Sequence, residues 1–294
     1  MTDVAGPRDE VAPLKSPSAD QGLLEVFRRR YLLRLLVRRE INVRYSGSFL
    51  GLIWSYINPL SQLFIYWFVM QKIIGRGGEN FALHVFSALV VVHFFTETFN
   101  SGTRSIVRNK ALVRRMAMPR EMFPVASMLV SLFHVGPQLL ILTICCLFYG
   151  WGPDPAGMGA ALLALAIIMV LGTALALLFS VANVFFRDFS SFVNILTNFV
   201  RFGVPMIYPY TLVAERFRGH TELYLANPIA DAVLLMQRAF WSGTVSDPAA
   251  TRATNLPDHL FTRGFIALGA SLVVLVVAQL VFTKFENKIP ERLT

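Results

Sequence analysis

Phe27-Arg28-Arg29-Arg30-Tyr31-Leu32-Leu33-Arg34-Leu35-Leu36-Val37-Arg38-Arg39-Glu40-Ile41-Asn42-Val43-Arg44-Tyr45 runs without a linker into Ser46-Gly47-Ser48-Phe49-Leu50-Gly51-Leu52-Ile53-Trp54-Ser55-Tyr56-Ile57-Asn58-Pro59-Leu60. Leu32, Leu33, Leu35, Leu36 and Val37 give the first part an apolar side, with arginines at helical spacings around it. Such a segment lies in the headgroup layer, its apolar side dipped into lipid and its guanidinium groups facing phosphates. The second part enters the bilayer carrying serines, an asparagine and aromatics, which a plain anchor would not need. The junction predicts an all-α polytopic membrane protein with an amphipathic interface helix over 22–46 and a first span that lines something.

The rest of the chain agrees with a membrane class. Of its 294 residues 55% are hydrophobic and only 15% charged, with a mean hydropathy of +0.55, whereas soluble domains sit nearer a quarter charged. The net charge of +9 gathers beside apolar stretches, which favours a membrane surface over nucleic acid. Residues 1–21 contain Pro and Asp and no apolar core, so they read as a disordered cytoplasmic tail and not a secretory signal. Cys145 and Cys146 are adjacent in an apolar run and read as packing residues.

A bilayer core takes about 20 apolar residues in helix. Six stretches qualify: 49–74, 81–101, 123–149, 158–186, 189–208 and 264–282. Arg and Lys crowd the N-terminal segment, the loop 104–121 and the tail 284–294, while 150–157 carries only Asp154, so both termini are expected in the cytoplasm. Within 209–263, an apolar piece interrupted by Asn227-Pro228 and carrying Asp231 and Arg238 predicts an external re-entrant hairpin, followed by a polar loop over 242–263.

Polar side chains at membrane depth should face protein or a water-filled path. Gly51, Ser55, Asn58, Gln62 and Tyr66 share one face of the first span, and Asn194, Asn198, Arg201 and Tyr208 do the same on the fifth. Arg201 lies about 18 Å along its helix from Phe189. Insertion costs of about 2.5–3.5 kcal/mol for a central arginine call for a compensating partner, and His93, Glu97, Asn100 and Arg104 share a face of the second span. Single residues of this kind often serve only helix-to-helix bonding, as His134 and Gln138 on the third span are expected to do. Two long stripes together predict a conduit. Trp54, Tyr56, Tyr66, Phe199, Phe202 and Tyr208 flank the stripes, and some of these rings offer platforms for the C–H faces of sugars. An alternative uses His93 and Glu97 as a proton relay, with Arg201, in a gradient-driven small-solute carrier. No Gly-x-x-x-x-Gly-Lys loop occurs, so ATP-driven work would need a partner.

The stretch 44–60 closely resembles the start of the first span in ABC-2 exporter permeases of the polysaccharide branch (O-antigen, teichoic acid, capsule, galactan). The resemblance continues through Met118-Pro119-Arg120-Glu121-Met122-Phe123-Pro124, Arg187-Asp188, Pro205-Met206-Ile207-Tyr208-Pro209 and Ala226-Asn227-Pro228-Ile229, in order, across most of 24–290. It implies the type V exporter fold and a homodimer with separate ATPase subunits that carry ATP and Mg, this chain holding no cofactor of its own. It implies a multi-pass protein of the bacterial inner membrane, a lipid-linked polysaccharide as cargo, and a conduit bounded by the first and fifth spans. Over 104–121 it implies a coupling helix, with Asn109, Leu112, Arg114, Arg115, Met116, Pro119, Arg120 and Glu121 meeting the ATPase. Arg120 departs from the family pattern, and 242–263 is poorly matched. Arg38, Arg39 and Arg44 then stand where a lipid pyrophosphate arrives, although holding the helix on anionic lipid would use them equally. An ABC-2 drug or lipid exporter differs from this reading mainly in cargo.

Overall fold

A computed structural model describes residues 22–74, 78–116, 118–217 and 219–293; the predicted tail 1–21 lies outside them. All regular structure among the described residues is helical. The interface segment forms two helices, α1 (Leu23–Arg28) and α2 (Arg30–Tyr45), broken at Arg29. The chain then turns through Gly47 and Gly51, both at positive φ (77° and 48°), a conformation that favours glycine. This elbow leads through a short 3-10 turn (Gly51–Ile53) into α3 (Trp54–Tyr66), which passes without interruption into a π-helical segment, Trp67–Ile74.

Among the described residues, four helices have the length and apolarity to cross a bilayer: α4 (Phe81–Arg108), α6 (Met122–Phe148), α7 (Pro155–Phe185) and α13 (Leu260–Glu286). A short α5 (Lys110–Arg115) joins α4 to α6. The segments expected as first and fifth spans are shorter helices. α3 has 13 residues before the π-helical stretch, and α8 (Phe189–Gly203) has 15. α8 stops because Pro205 disfavours helical backbone at Val204, which is extended (φ −117°, ψ 156°). α4 runs past the expected 101 to Arg108, so Arg104 and Arg108 belong to its last turns, where basic side chains complement the negative helix end.

α4 is the hub, packing on α6, α7, α8 and α11 (Pro228–Ala239). Where α4 crosses α7, a Cβ on Gly102 would sit 2.3 Å from the Ala176 Cβ, so only glycine permits this approach. α3 packs on α6 and α4, whereas α8 packs on α4 and α7. One hydrophobic cluster fills the centre and the end bearing α11. A second, including Val26, Leu36, Val113, Phe123, Leu177 and Phe282, ties α2 and α5 to the other end.

Between α8 and α13 lie α9 (Tyr210–Arg216), α10 (Thr221–Leu225), α11 (Pro228–Ala239) and α12 (Pro248–Asn255), so the expected polar loop contains a helix. Asn227 caps α11 by accepting from the Ile229 N–H (3.0 Å), with Pro228 at the first helical position where no donor is missed. From Ile229 to Gln237 α11 is buried, and Gln237 donates to the Pro205 carbonyl (2.8 Å). The Asn-Pro and Pro-Met motifs therefore fix one another's backbone.

At this end Arg238 grips Asp154 with two bonds (2.8 and 3.3 Å). The hydrogen bond from Arg238 holds the Asp154 carboxyl below the usual carboxylate range. A depressed folded pKa gives stability that is fully present above the ordinary Asp value of about 3.9 and lost as pH falls below it. Because Asp154 is 34% exposed, solvent screening limits the pair to about 1 kcal/mol. Asp154→Asn should cost that much at pH 7 in an unfolding titration in detergent, with the difference from wild type shrinking as pH falls below the ordinary Asp value.

Candidate functional site

Two polar cavities, of about 410 and 450 Å³, meet at Arg44, the end of the arginine-rich helix. The first is walled by Trp54, Ser55, Asn58 and Gln62 of α3, His93 and Glu97 of α4, and His134 and Gln138 of α6. Arg44 pairs with Glu97. Glu97 also lies 3.0 Å from His134 Nδ1, and the Tyr45 hydroxyl lies 2.9 Å from His134 Nε2 and beside the Ser55 hydroxyl. One proton arrangement satisfies all five groups. Ser55 donates to Tyr45, Tyr45 to His134 Nε2, and both His134 Nδ1–H and Arg44 donate to the Glu97 carboxylate. Pro59, inside α3, has no N–H for the Ser55 carbonyl one turn earlier, which leaves a further acceptor nearby. Gln62 Oε1 is buried without a partner among the described residues.

The second cavity continues along α2. Arg39 donates to Asn109 Oδ1 (2.8 Å), Asn109 donates to Glu40 (3.1 Å), and Arg108 pairs with Glu40. Two of the three mouth arginines, Arg39 and Arg44, are thus tied to α4 and its end, while Arg38 is exposed.

The stripe on α3 divides. Ser55, Asn58 and Gln62 face the cavity, Tyr66 packs against the core, and Tyr56 is exposed. The face shared by His93, Glu97, Asn100 and Arg104 divides too. Glu97 turns to α2 and α6, whereas Asn100 bonds Thr197 (3.2 Å) and Arg104 bonds Asn194 (2.9 Å) on α8. Glu97 is therefore committed to Arg44 and His134, not to His93. Asn198, Phe199, Arg201 and Phe202 form an exposed face of α8, and Arg201 makes no hydrogen bond or ion pair among the described residues. The Tyr208 hydroxyl donates to the Phe202 carbonyl (3.0 Å) and sits 3.1 Å from that of Tyr224.

The residues expected at an ATPase fall into two groups. Arg114, Arg115 and Met116 are exposed on and just after α5, and Leu112 is half-buried. Asn109, Pro119 and Glu121 are buried. Glu121 accepts from Gln279 (3.0 Å), and Arg120 binds the Glu286 carbonyl and carboxylate at the end of α13. Sequence reasoning missed Tyr45 and the tie from Arg44 through Glu97 to His134, because nothing in spacing reveals which helix α2 folds against.

The chain has relatives among known proteins. O-antigen export system permease proteins RfbA are similar to it: one from Klebsiella pneumoniae is 24% identical over 217 residues, covering 73% of this chain and 82% of its own. One from Myxococcus xanthus is 26% identical over 225 residues, covering 76% and 85%. The profile of the ABC-2 type transporter family matches residues 31–240, which takes in the arginine-rich helix, the elbow cavity, α5 and α11, and the chain belongs to that family.

Proposed function

We propose that this chain is the permease of an ATP-driven exporter that moves a lipid-linked polysaccharide out of the cytoplasm. The observation that carries the reading is the polar cavity at the elbow, where an arginine-bearing surface helix meets a membrane helix lined with Ser, Asn and Gln. Arginine bonds phosphate oxygens in bidentate, charge-assisted fashion, and amide and hydroxyl groups exchange bonds with sugar hydroxyls. The O-antigen permeases to which the chain is similar agree with such a cargo.

In this reading α3 and the π-helical segment together, 13 and 8 residues, complete one span. α8 with the turn after it completes another, giving six, and α10–α11 form the re-entrant pair. Both termini lie in the cytoplasm, in keeping with the basic residues at that end. A second copy closes the conduit, so that the exposed α8 face with Arg201 meets water and cargo in place of lipid. ATPase subunits dock on α5 and supply ATP and Mg. ATP-dependent delivery of a lipid-linked glycan into inside-out vesicles tests the proposal.

A further inference from the structure

A crevice of about 380 Å³ opens between the ends of α7, α8 and α13, away from the elbow cavity, and its lining residues are all apolar. Phenylalanines 179, 185, 186, 189 and 285 contribute most of its wall. Their rings brace one another: Phe179 and Phe189 are 5.9 Å apart, and Phe185 and Phe285 5.7 Å, both pairs edge to face. From Leu178 to Phe185 the crevice follows α7 for about 10 Å, roughly a third of a hydrocarbon core. It lies against α13, the least buried of the four long helices, beside the exposed Leu280.

The rim is basic. The Arg292 guanidinium sits 5.8 Å from the centre of the Phe185 ring, and Arg187 is exposed in the turn between Phe186 and Phe189. Lys284 and Lys288 are exposed nearby in sequence, against the carboxylates Asp188 and Glu291. An apolar slot under a positive rim, at the level where long helices end, matches an anionic phospholipid. Neither a soluble ligand nor a protein helix would use both parts.

We propose that this crevice binds one acyl chain of an anionic phospholipid, whose phosphate is taken by Arg292 and Arg187. Each cation near an anionic headgroup favours it by about fivefold, equivalent to about 1 kcal/mol. The crevice shares no lining residue with the elbow cavity, and the proposal does not depend on the nature of the cargo.

Native mass spectrometry of the full chain released from micelles, with phosphatidylglycerol or phosphatidylcholine added, reads the binding directly. One phosphatidylglycerol per chain should be retained at least fivefold more tightly than phosphatidylcholine. The double variant Arg187→Gln, Arg292→Gln should lower that preference by about 5–25-fold, while other basic surfaces such as α2 stay constant. Val281→Trp, which fills the crevice and leaves the cations in place, should remove the tightly held lipid. Equal retention of the two lipids by the wild type, or a preference that survives both variants, would overturn the proposal.

Discussion

Glu97→Ala is expected to destabilise the protein by about 2–3 kcal/mol and to free α2 from the bundle. The substitution strips the acceptor from a histidine only 8% exposed and from Arg44 at once. Leaving a buried donor unpaired costs about 1–3 kcal/mol, and removing one partner of a fully buried ion pair about 3–5. Because the Arg44 side chain is 48% exposed, its share falls toward the small value of a surface pair. Glu97→Gln keeps an acceptor and should cost about 1 kcal/mol. Unfolding in detergent measures both changes, and a double-mutant cycle with Arg44→Met should return a coupling of about 1–2 kcal/mol. A cost below about 0.5 kcal/mol for Glu97→Ala would mean that the cluster does not hold the elbow. Transport should fall with the same variant, because the mouth arginines lose their position relative to Ser55 and Asn58.

Charge reversal at Arg114 and Arg115 should do the opposite: spare the fold and break the engine. Both side chains are exposed on α5, whose anchoring residue Val113 stays buried, so stability should move by less than about 0.5 kcal/mol. Close charge pairs at interfaces couple by about 1.5 kcal/mol or more. Two reversals should therefore weaken ATPase association on the order of 100-fold and abolish transport-linked ATP hydrolysis in reconstituted vesicles. Arg120→Ala provides the contrast. Arg120 binds the end of α13, so its loss should register as lowered stability before any loss of coupling. Wild-type coupling in the double reversal would remove α5 from the ATPase contact.

The class, the long helices and the amphipathic segment were legible because hydropathy and charge placement are local properties of the chain. The caps and turns were legible for the same reason: Asn227-Pro228 starts α11, and Pro205 ends α8. Long-range choices were not. A polar stripe on α3 says that something polar faces it, and spacing alone does not separate a conduit from the His134–Glu97–Arg44 cluster on α6, α4 and α2. The stripe on α4 looked like one face, yet a helix at the hub of the fold turns neighbouring residues of a face toward different partners. Likewise Arg120 and Glu121 share the basic loop 104–121 with Arg114 and Arg115, but only packing reveals that they point into α13.

The central claim, ATP-driven export of a lipid-linked glycan through this permease, is tested most directly in inside-out membrane vesicles containing the chain with its co-expressed ATPase. The substrate is a radiolabelled lipid-linked polysaccharide presented on the outer, formerly cytoplasmic, face. The account predicts that labelled glycan becomes protected in the lumen only when ATP is hydrolysed, and that Glu97→Ala and the Arg114/Arg115 reversal each reduce the protected fraction at least tenfold. Protection driven by a proton gradient without ATP, or equal protection in vesicles lacking the permease, would contradict it.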